Sequence, residues 1–174
     1  MPITLVRHAM PVVDPSVPAH TWGLSEQGRH AAAGLRLPPG PCHHTASAEP
    51  KAAQTIHATR PHATVHIDPA FGEILRPHDP TLTGEQHRAQ AAAYLSGTDH
   101  PGWETRAQAI TRFDDAVHRH ATHPGHLIIA THGMVMTLWL TTVLDLPDPV
   151  AYWRALAFPD TVTLQTPHRR PAAS

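Results

Sequence analysis

Ile3-Thr4-Leu5-Val6 and, far down the chain, Leu127-Ile128-Ile129-Ala130 are apolar runs of strand length that stop at a histidine. Arg7-His8 follows the first, and Thr131-His132-Gly133 the second. Runs of this kind read as buried strands. In an open α/β sheet, ligands bind beyond the carboxyl ends of the strands, so two strands that end alike offer two imidazoles at one rim. An Arg-His pair alone means little. With 12 Arg and 17 His in 174 residues, chance supplies about one such pair, and the chain has three. Arg29-His30 and Arg119-His120 fall in polar, helix-like surroundings and read as solvated surface. Only Arg7-His8 ends an apolar strand, so position carries the weight.

Between these runs, strands and helices alternate. Ala9 to Trp22 holds three prolines and reads as a loop. Ser25 is an N-cap for a helix that runs to about Leu37, and Pro38-Pro39-Gly40-Pro41 ends it. Cys42–Ala46 is a second strand. Ser47-Ala48-Glu49-Pro50 opens a helix to Thr59 with a capping hydroxyl, a first-turn acid and a proline where no amide donor is needed. A third strand spans Ala63–Ile67, and a loop with Phe71-Gly72-Glu73 follows it. From Arg76 to Trp103 the chain is mostly polar, helical near Gly84–Leu95, and reads as a surface excursion over the site. A helix from about Glu104 to His120 turns Ala107, Ile110, Phe113 and Val117 to the core. His126–Thr131 is the clearest buried strand. Met134–Leu144 is an all-round apolar helix, which implies burial. A last helix near Pro149–Leu156 precedes a strand at Thr161–Gln165, and the tail from Pro167 is expected to fray. This order predicts one domain over 1–174, a three-layer α/β/α sandwich with a mostly parallel central sheet and a short capping excursion at 76–103.

Composition excludes several classes. A net charge of −1 gives no electrostatic footprint for nucleic acid or an anionic membrane. No apolar run approaches the ~20 residues of a membrane helix. The first residues lead straight into a strand with no leader pattern. A single cysteine, Cys42, excludes an internal disulfide framework and reads as inert packing. The expectation is a cytoplasmic protein. No G-x-S-x-G, Walker-type or G-x-G-x-x-G pattern occurs, so acyl transfer and nucleotide-loop chemistry have no support.

The side chains gathered at the predicted rim suit a phosphoryl group. Ser47 and Lys51 lie in the first turn of a helix, and Gly133 begins another; free amides and the positive end of the helix dipole suit an oxyanion at both. Arg7 brings a planar fork of donors and Lys51, the only lysine against twelve arginines, a point charge. With His132 these would neutralise a phosphoryl dianion without a metal, and phosphoryl transfer needs chiefly positioning and charge stabilisation. His118, His120, His123 and His126 crowd together and His43-His44 adjoin, but the run straddles a helix end and lacks a cysteine or a converging carboxylate. Neither a metal nor a cofactor is expected.

Leu5-Val6-Arg7-His8, Leu24-Ser25-Glu26-Gln27-Gly28, Ser47-Ala48-Glu49-Pro50-Lys51-Ala52-Ala53-Gln54-Thr55, Glu73 and Thr131-His132-Gly133 together resemble, in order and over nearly the whole chain, the first branch of the histidine phosphatase superfamily with its phosphoglycerate mutase-like fold. The resemblance implies that His8 attacks phosphorus and becomes a phosphohistidine. It implies that Arg7, Lys51 and His132 stabilise the equatorial oxygens, and that Glu73 protonates the leaving oxygen and then deprotonates water. Ser47, Gly133, Arg76, Trp103 and Glu104 are the expected substrate contacts, the last two because Gly102-Trp103-Glu104-Thr105 is similar to a family pocket segment. Asp79, Glu85 and Glu104 are reserve proton donors, and Trp22 is placed beside the covering loops. Two departures stand out: Ala9-Met10-Pro11 follows the nucleophile where glycine is usual, and Lys51 replaces the usual arginine, keeping the charge but losing the fork.

The implied activity is hydrolysis of a small phosphomonoester. Its rivals are mutase-type phosphoryl transfer, a protein-phosphohistidine phosphatase and a non-catalytic phosphate-binding module. The sequence leaves open the leaving group, and whether an edge strand or the apolar 134–144 helix serves a homodimer.

Overall fold

Among the described residues, five strands build one sheet: β1 (Pro2–Arg7), β2 (Cys42–Ala46), β3 (Val65–Ile67), β4 (His126–Thr131) and β5 (Asp160–Gln165). Their order is β3-β2-β4-β1-β5. In this computed structural model, which describes residues 1–165, the first four strands run parallel and β5 pairs antiparallel with β1 at one edge. The tail from Pro167 lies outside the described residues.

Six helices cover the two faces: α1 (Glu26–Ala33), α2 (Pro50–Thr59), α3 (Gly84–Leu95), α4 (Arg106–His120), α5 (Gly133–Leu144) and α6 (Pro149–Ala155). Side chains alternate across a strand, and both faces of β1 and β4 are covered. Ile3, Leu5, Leu127 and Ile129 enter one core with α3, α4 and α5, while Val6, Ile128 and Ala130 enter another with Ala52 and Ile56 of α2. This is why those strands read as unbroken apolar runs rather than alternating ones. The α/β/α sandwich is therefore present as expected.

Register sets the site. Arg7 pairs with Thr131, and the His8 amide donates to the Thr131 carbonyl at 3.0 Å. The Ser47 amide donates to the Ala130 carbonyl, also at 3.0 Å. Three chain segments thus leave the sheet at one level.

Four local expectations are corrected. Helix α1 stops at Ala33, capped by Gly34, because glycine is a poor helix interior residue; Leu35 and Leu37 instead pack on the α2-side core. Strand β3 begins only at Val65. On α4 the buried stripe is Ala109, Phe113, Ala116 and Val117, which leaves Ala107 exposed and Ile110 half-buried; the core-facing line is rotated away from Ala107 at the start of the helix. The 76–103 excursion is not wholly superficial, since Ala91, Tyr94 and Leu95 of α3 join the main core. Those three sit at helical spacing on an otherwise polar helix, too short a stripe to stand out in composition.

Candidate active site

His8 and His132 meet beyond the carboxyl ends of β1 and β4, with ring centroids 5.1 Å apart. Both are buried. His8 Nδ1 lies 2.7 Å from the carbonyl of Ala9, an acceptor, so the proton is assigned to Nδ1 and the lone pair to Nε2. Burial, then the neighbouring His132, and also Lys51 and Arg7, hold the His8 pKa well below its ordinary value. A neutral imidazole with a free Nε2 is what a nucleophile requires. The loop after it is fixed by Thr55, whose hydroxyl accepts from the Ala9 amide and donates to the Lys51 carbonyl.

His132 is likewise driven well below its ordinary pKa, by burial first and by Lys51, Arg112, Arg76 and Arg7. Its Nε2 stands 2.7 Å from Ser47 Oγ and 3.3 Å from Glu49 Oε1. A carboxylate only accepts, so Nε2 carries the proton. Ser47 Oγ also accepts from the Glu49 amide at 3.2 Å, which ties the start of α2 to the histidine pair.

Arg7 is buried against the face of Phe158, its guanidinium carbon 3.5 Å from the ring centroid. One terminal nitrogen donates to the Leu156 carbonyl at 2.6 Å. Its Nε, like His132 Nδ1, is buried without a hydrogen-bond partner among the described residues. A buried unpaired donor costs on the order of 1–3 kcal/mol, and an oxyanion at this rim would satisfy it. Burial lowers the Arg7 pKa to about 10, so it stays charged at neutral pH. Gly133 allows the approach: a Cβ there would lie 3.1 Å from both Arg7 Nε and Trp153 Nε1.

Lys51 is buried, 4% exposed, and near enough to both histidines to depress them. Its ammonium is held by the Glu49 carboxylate and by the Ala19 carbonyl at 2.6 Å. Ala19 lies in the proline-rich loop, which is braced by Trp22 Nε1 donating to the carbonyls of Asp14 and Val17. Glu49 therefore joins Lys51, His132 and the Glu73 amide, which it accepts at 2.9 Å. The sequence offered it only as a first-turn acid; the spacing Glu49-x-Lys51 at a phosphate-facing helix start was the available signal.

Glu73 caps α5. Its carboxylate accepts from the amides of Met134 and Val135 at 3.1 and 3.0 Å, and from Ile74. It is held one residue from Gly133 and beside Glu49, while Oε2 takes a single amide. Arg112, which sequence reasoning missed, clamps this loop by donating to the carbonyls of Ala70, Gly72 and Glu73. It also pairs with Glu104. Glu104 is thus a structural partner, bound to Arg112 and the Leu75 amide, and is not brought to the histidines. Arg76 lies nearer, donating to Met134 Sδ at 3.3 Å and sitting 5.2 Å from the Trp103 ring. Trp103 itself packs on Tyr94 and His100. Asp79 binds Thr81, within the excursion.

A family model matches most of the chain. The model of the histidine phosphatase superfamily (branch 1) matches residues 3–169. The chain belongs to this superfamily. Among solved structures it is similar to a mycobacterial glucosyl-3-phosphoglycerate phosphatase complexed with VO3, at 21% identity and TM-score 0.68, over 94% of this chain and 92% of that one. It is also similar to YhfR of Bacillus stearothermophilus, at 19% identity and TM-score 0.71 over 95% and 92%. A Thermus thermophilus protein, TTHB049, matches at 21% identity and TM-score 0.63 over 97% and 95%. At these identities the likeness shows the phosphoglycerate mutase-like fold. No curated protein matches the chain. Membership in the histidine phosphatases supports phosphoryl-transfer chemistry in general. Among the described residues no helix is long and apolar enough to cross a membrane.

Proposed function

We propose that the protein is a phosphatase that hydrolyses a small phosphomonoester through a phosphohistidine on His8. The observation that carries this is the neutral His8, its Nε2 freed by the bond from Nδ1 to Ala9, facing His132 within a rim that holds Arg7 and Lys51. His8 Nε2 attacks phosphorus, the P–N bond forms and the P–O bond to the leaving group breaks. Glu73 gives its proton to the departing oxygen. Water then attacks phosphorus, Glu73 takes back a proton, and the P–N bond breaks to release inorganic phosphate. Arg7, Lys51 and the Nε2–H of His132 stabilise the equatorial oxygens, in place of a metal ion; Ser47, Gly133 and Arg76 are the proposed substrate contacts.

Hydrolysis is favoured over mutase transfer because the excursion from 76 to 103 is short and α3 is anchored to the core by Ala91, Tyr94 and Leu95, which leaves little chain to enclose an intermediate. A panel of small phosphomonoesters tests the proposal. Phosphate release from at least one, lost in His8→Ala, is expected; release that survives this substitution removes His8 as nucleophile. Binding of vanadate with no turnover on any ester would favour a phosphate-binding module instead.

A further inference from the structure

At the opposite, amino-terminal rim of the sheet, His43 at the start of β2 meets His120 at the end of α4 and His123 in the turn that follows. One ring nitrogen from each lies within 4.8 Å of the others. The closest pair, His43 Nε2 and His120 Nδ1, is 2.8 Å apart, and the rings of His43 and His123 stack at 3.9 Å. Two of the three are set in the protonation form a metal needs. His120 Nε2 stands 3.0 Å from Asp68 Oδ2, so it carries the proton and Nδ1 keeps its lone pair toward His43. His123 Nδ1 stands 3.2 Å from the His120 carbonyl, which leaves Nε2 free. Metal-bound histidines ordinarily donate their outer N–H to a carboxylate or a backbone carbonyl in this way. Asp68 is itself fixed, by Arg119 at 3.0 Å and by accepting the Ala70 amide.

We propose that His43, His120 and His123 form a binding site for a divalent transition-metal ion of the zinc class, with Asp68 as the positioning carboxylate. Three imidazoles, with the fourth position left to water, match tetrahedral Zn2+. With Zn–N bonds of about 2.0–2.1 Å, two tetrahedral ligands stand roughly 3.3 Å apart, so His43 and His120 need separate only slightly. His43 moves its proton from Nε2 to Nδ1, so no net charge is lost. His123, the exposed member of the three, turns its Nε2 inward. Hard, oxygen-preferring cations such as Mg2+ and Ca2+ do not suit this donor set. The carboxylate that the sequence appeared to lack comes from Asp68, which lies far from the histidine run in the chain and reaches it only through the fold. The ion would pin the end of α4 to the start of β2, at the rim away from His8, and so act on stability rather than on phosphoryl transfer.

The test is calorimetric titration of tag-free, EDTA-stripped full-length protein with Zn2+ alone. One equivalent bound with a Kd of micromolar order is expected, together with a Tm raised by roughly 5–10 °C at a hundredfold excess over Kd. His120→Gln and His123→Asn should each weaken binding at least tenfold, and Asp68→Asn by about ten- to a hundredfold, while His30→Gln leaves it unchanged. Because His123 is exposed, its variant keeps the test decisive even if changes at the more buried His43 or His120 impair folding. Absence of a one-to-one site with Kd under about 100 µM, or unchanged affinity in the folded His123→Asn variant, overturns the proposal.

Discussion

Lys51 and Glu49 decide how much positive charge the rim presents. The lysine is buried and its ammonium is shared between the Glu49 carboxylate and Ala19, so an incoming phosphoryl group competes with an internal anion for it. Glu49→Gln should therefore tighten vanadate binding. It should also destabilise the free protein by about 3 kcal/mol, because it leaves a buried ammonium without its counter-charge, and vanadate should restore most of that loss in thermal unfolding. Equal destabilisation with and without vanadate would mean that the lysine does not reach the anion. At Gly133 the constraint is steric. A Cβ would stand 3.1 Å from Arg7 Nε, so Gly133→Ala should cost about 1–3 kcal/mol through overpacking and lower kcat/KM by displacing the guanidinium; a variant with wild-type stability and kinetics would show that Arg7 has room to move. Much of this was legible from residue types, since His8, His132, Arg7, Ser47 and Lys51 all came from the sequence. Glu49 was not, because a glutamate in a first helical turn is ordinary, and only the folded chain reveals that it faces a histidine from another strand.

Among the elements, the loop between β3 and the excursion depends most on tertiary contacts. Arg112 of α4 donates to three carbonyls in residues 70–73 and pairs with Glu104, which aims Glu73 at the start of α5. Arg112→Ala should lose about 3 kcal/mol of stability and lower kcat more than it raises KM, because Glu73 is displaced while the phosphate contacts remain. Steady-state kinetics and denaturant unfolding check this, and a change confined to KM would contradict it. Some strands and caps were readable at this scale. Ser25 caps α1 as expected, and β2 and β4 have the predicted bounds. The start of α2 is corrected: its N-cap is Glu49, with no side-chain cap bond, while Ser47 stands before the helix and turns its hydroxyl to His132 instead. The buried face of α4 was misjudged because alanines mark it: Ala109 and Ala116 are buried while Ala107 is exposed, and alanine carries little hydrophobic signal on either side.

Over the whole molecule, two buried neutral histidines in contact set a pH limit. Unfolded histidines take up protons as pH falls through about 6.5, whereas His8 and His132 in the fold do so only at lower pH. The unfolded state thus binds more protons just below 6.5, so stability is fully present above that value and declines as pH drops beneath it. Thermal unfolding between pH 8 and 5 should show a plateau and then a fall, blunted in His132→Gln; a Tm that rises on acidification would contradict the neutral pair. The strand order was not written in any local pattern. It follows from β1 lying beside β4 and β5, pairings between the two ends of the chain, and it is that long-range register which makes one site of two distant histidines.

That convergence is tested most directly by rapid alkaline quench of the protein mixed with a turned-over phosphomonoester, with an acid-treated aliquot as control, followed by peptide mass spectrometry. An acid-labile, alkali-stable phosphoryl group on His8 is expected, formed at the rate of turnover or faster and absent from His8→Ala. A phosphoryl group on any other residue, or turnover in which His8 is never phosphorylated, would contradict it.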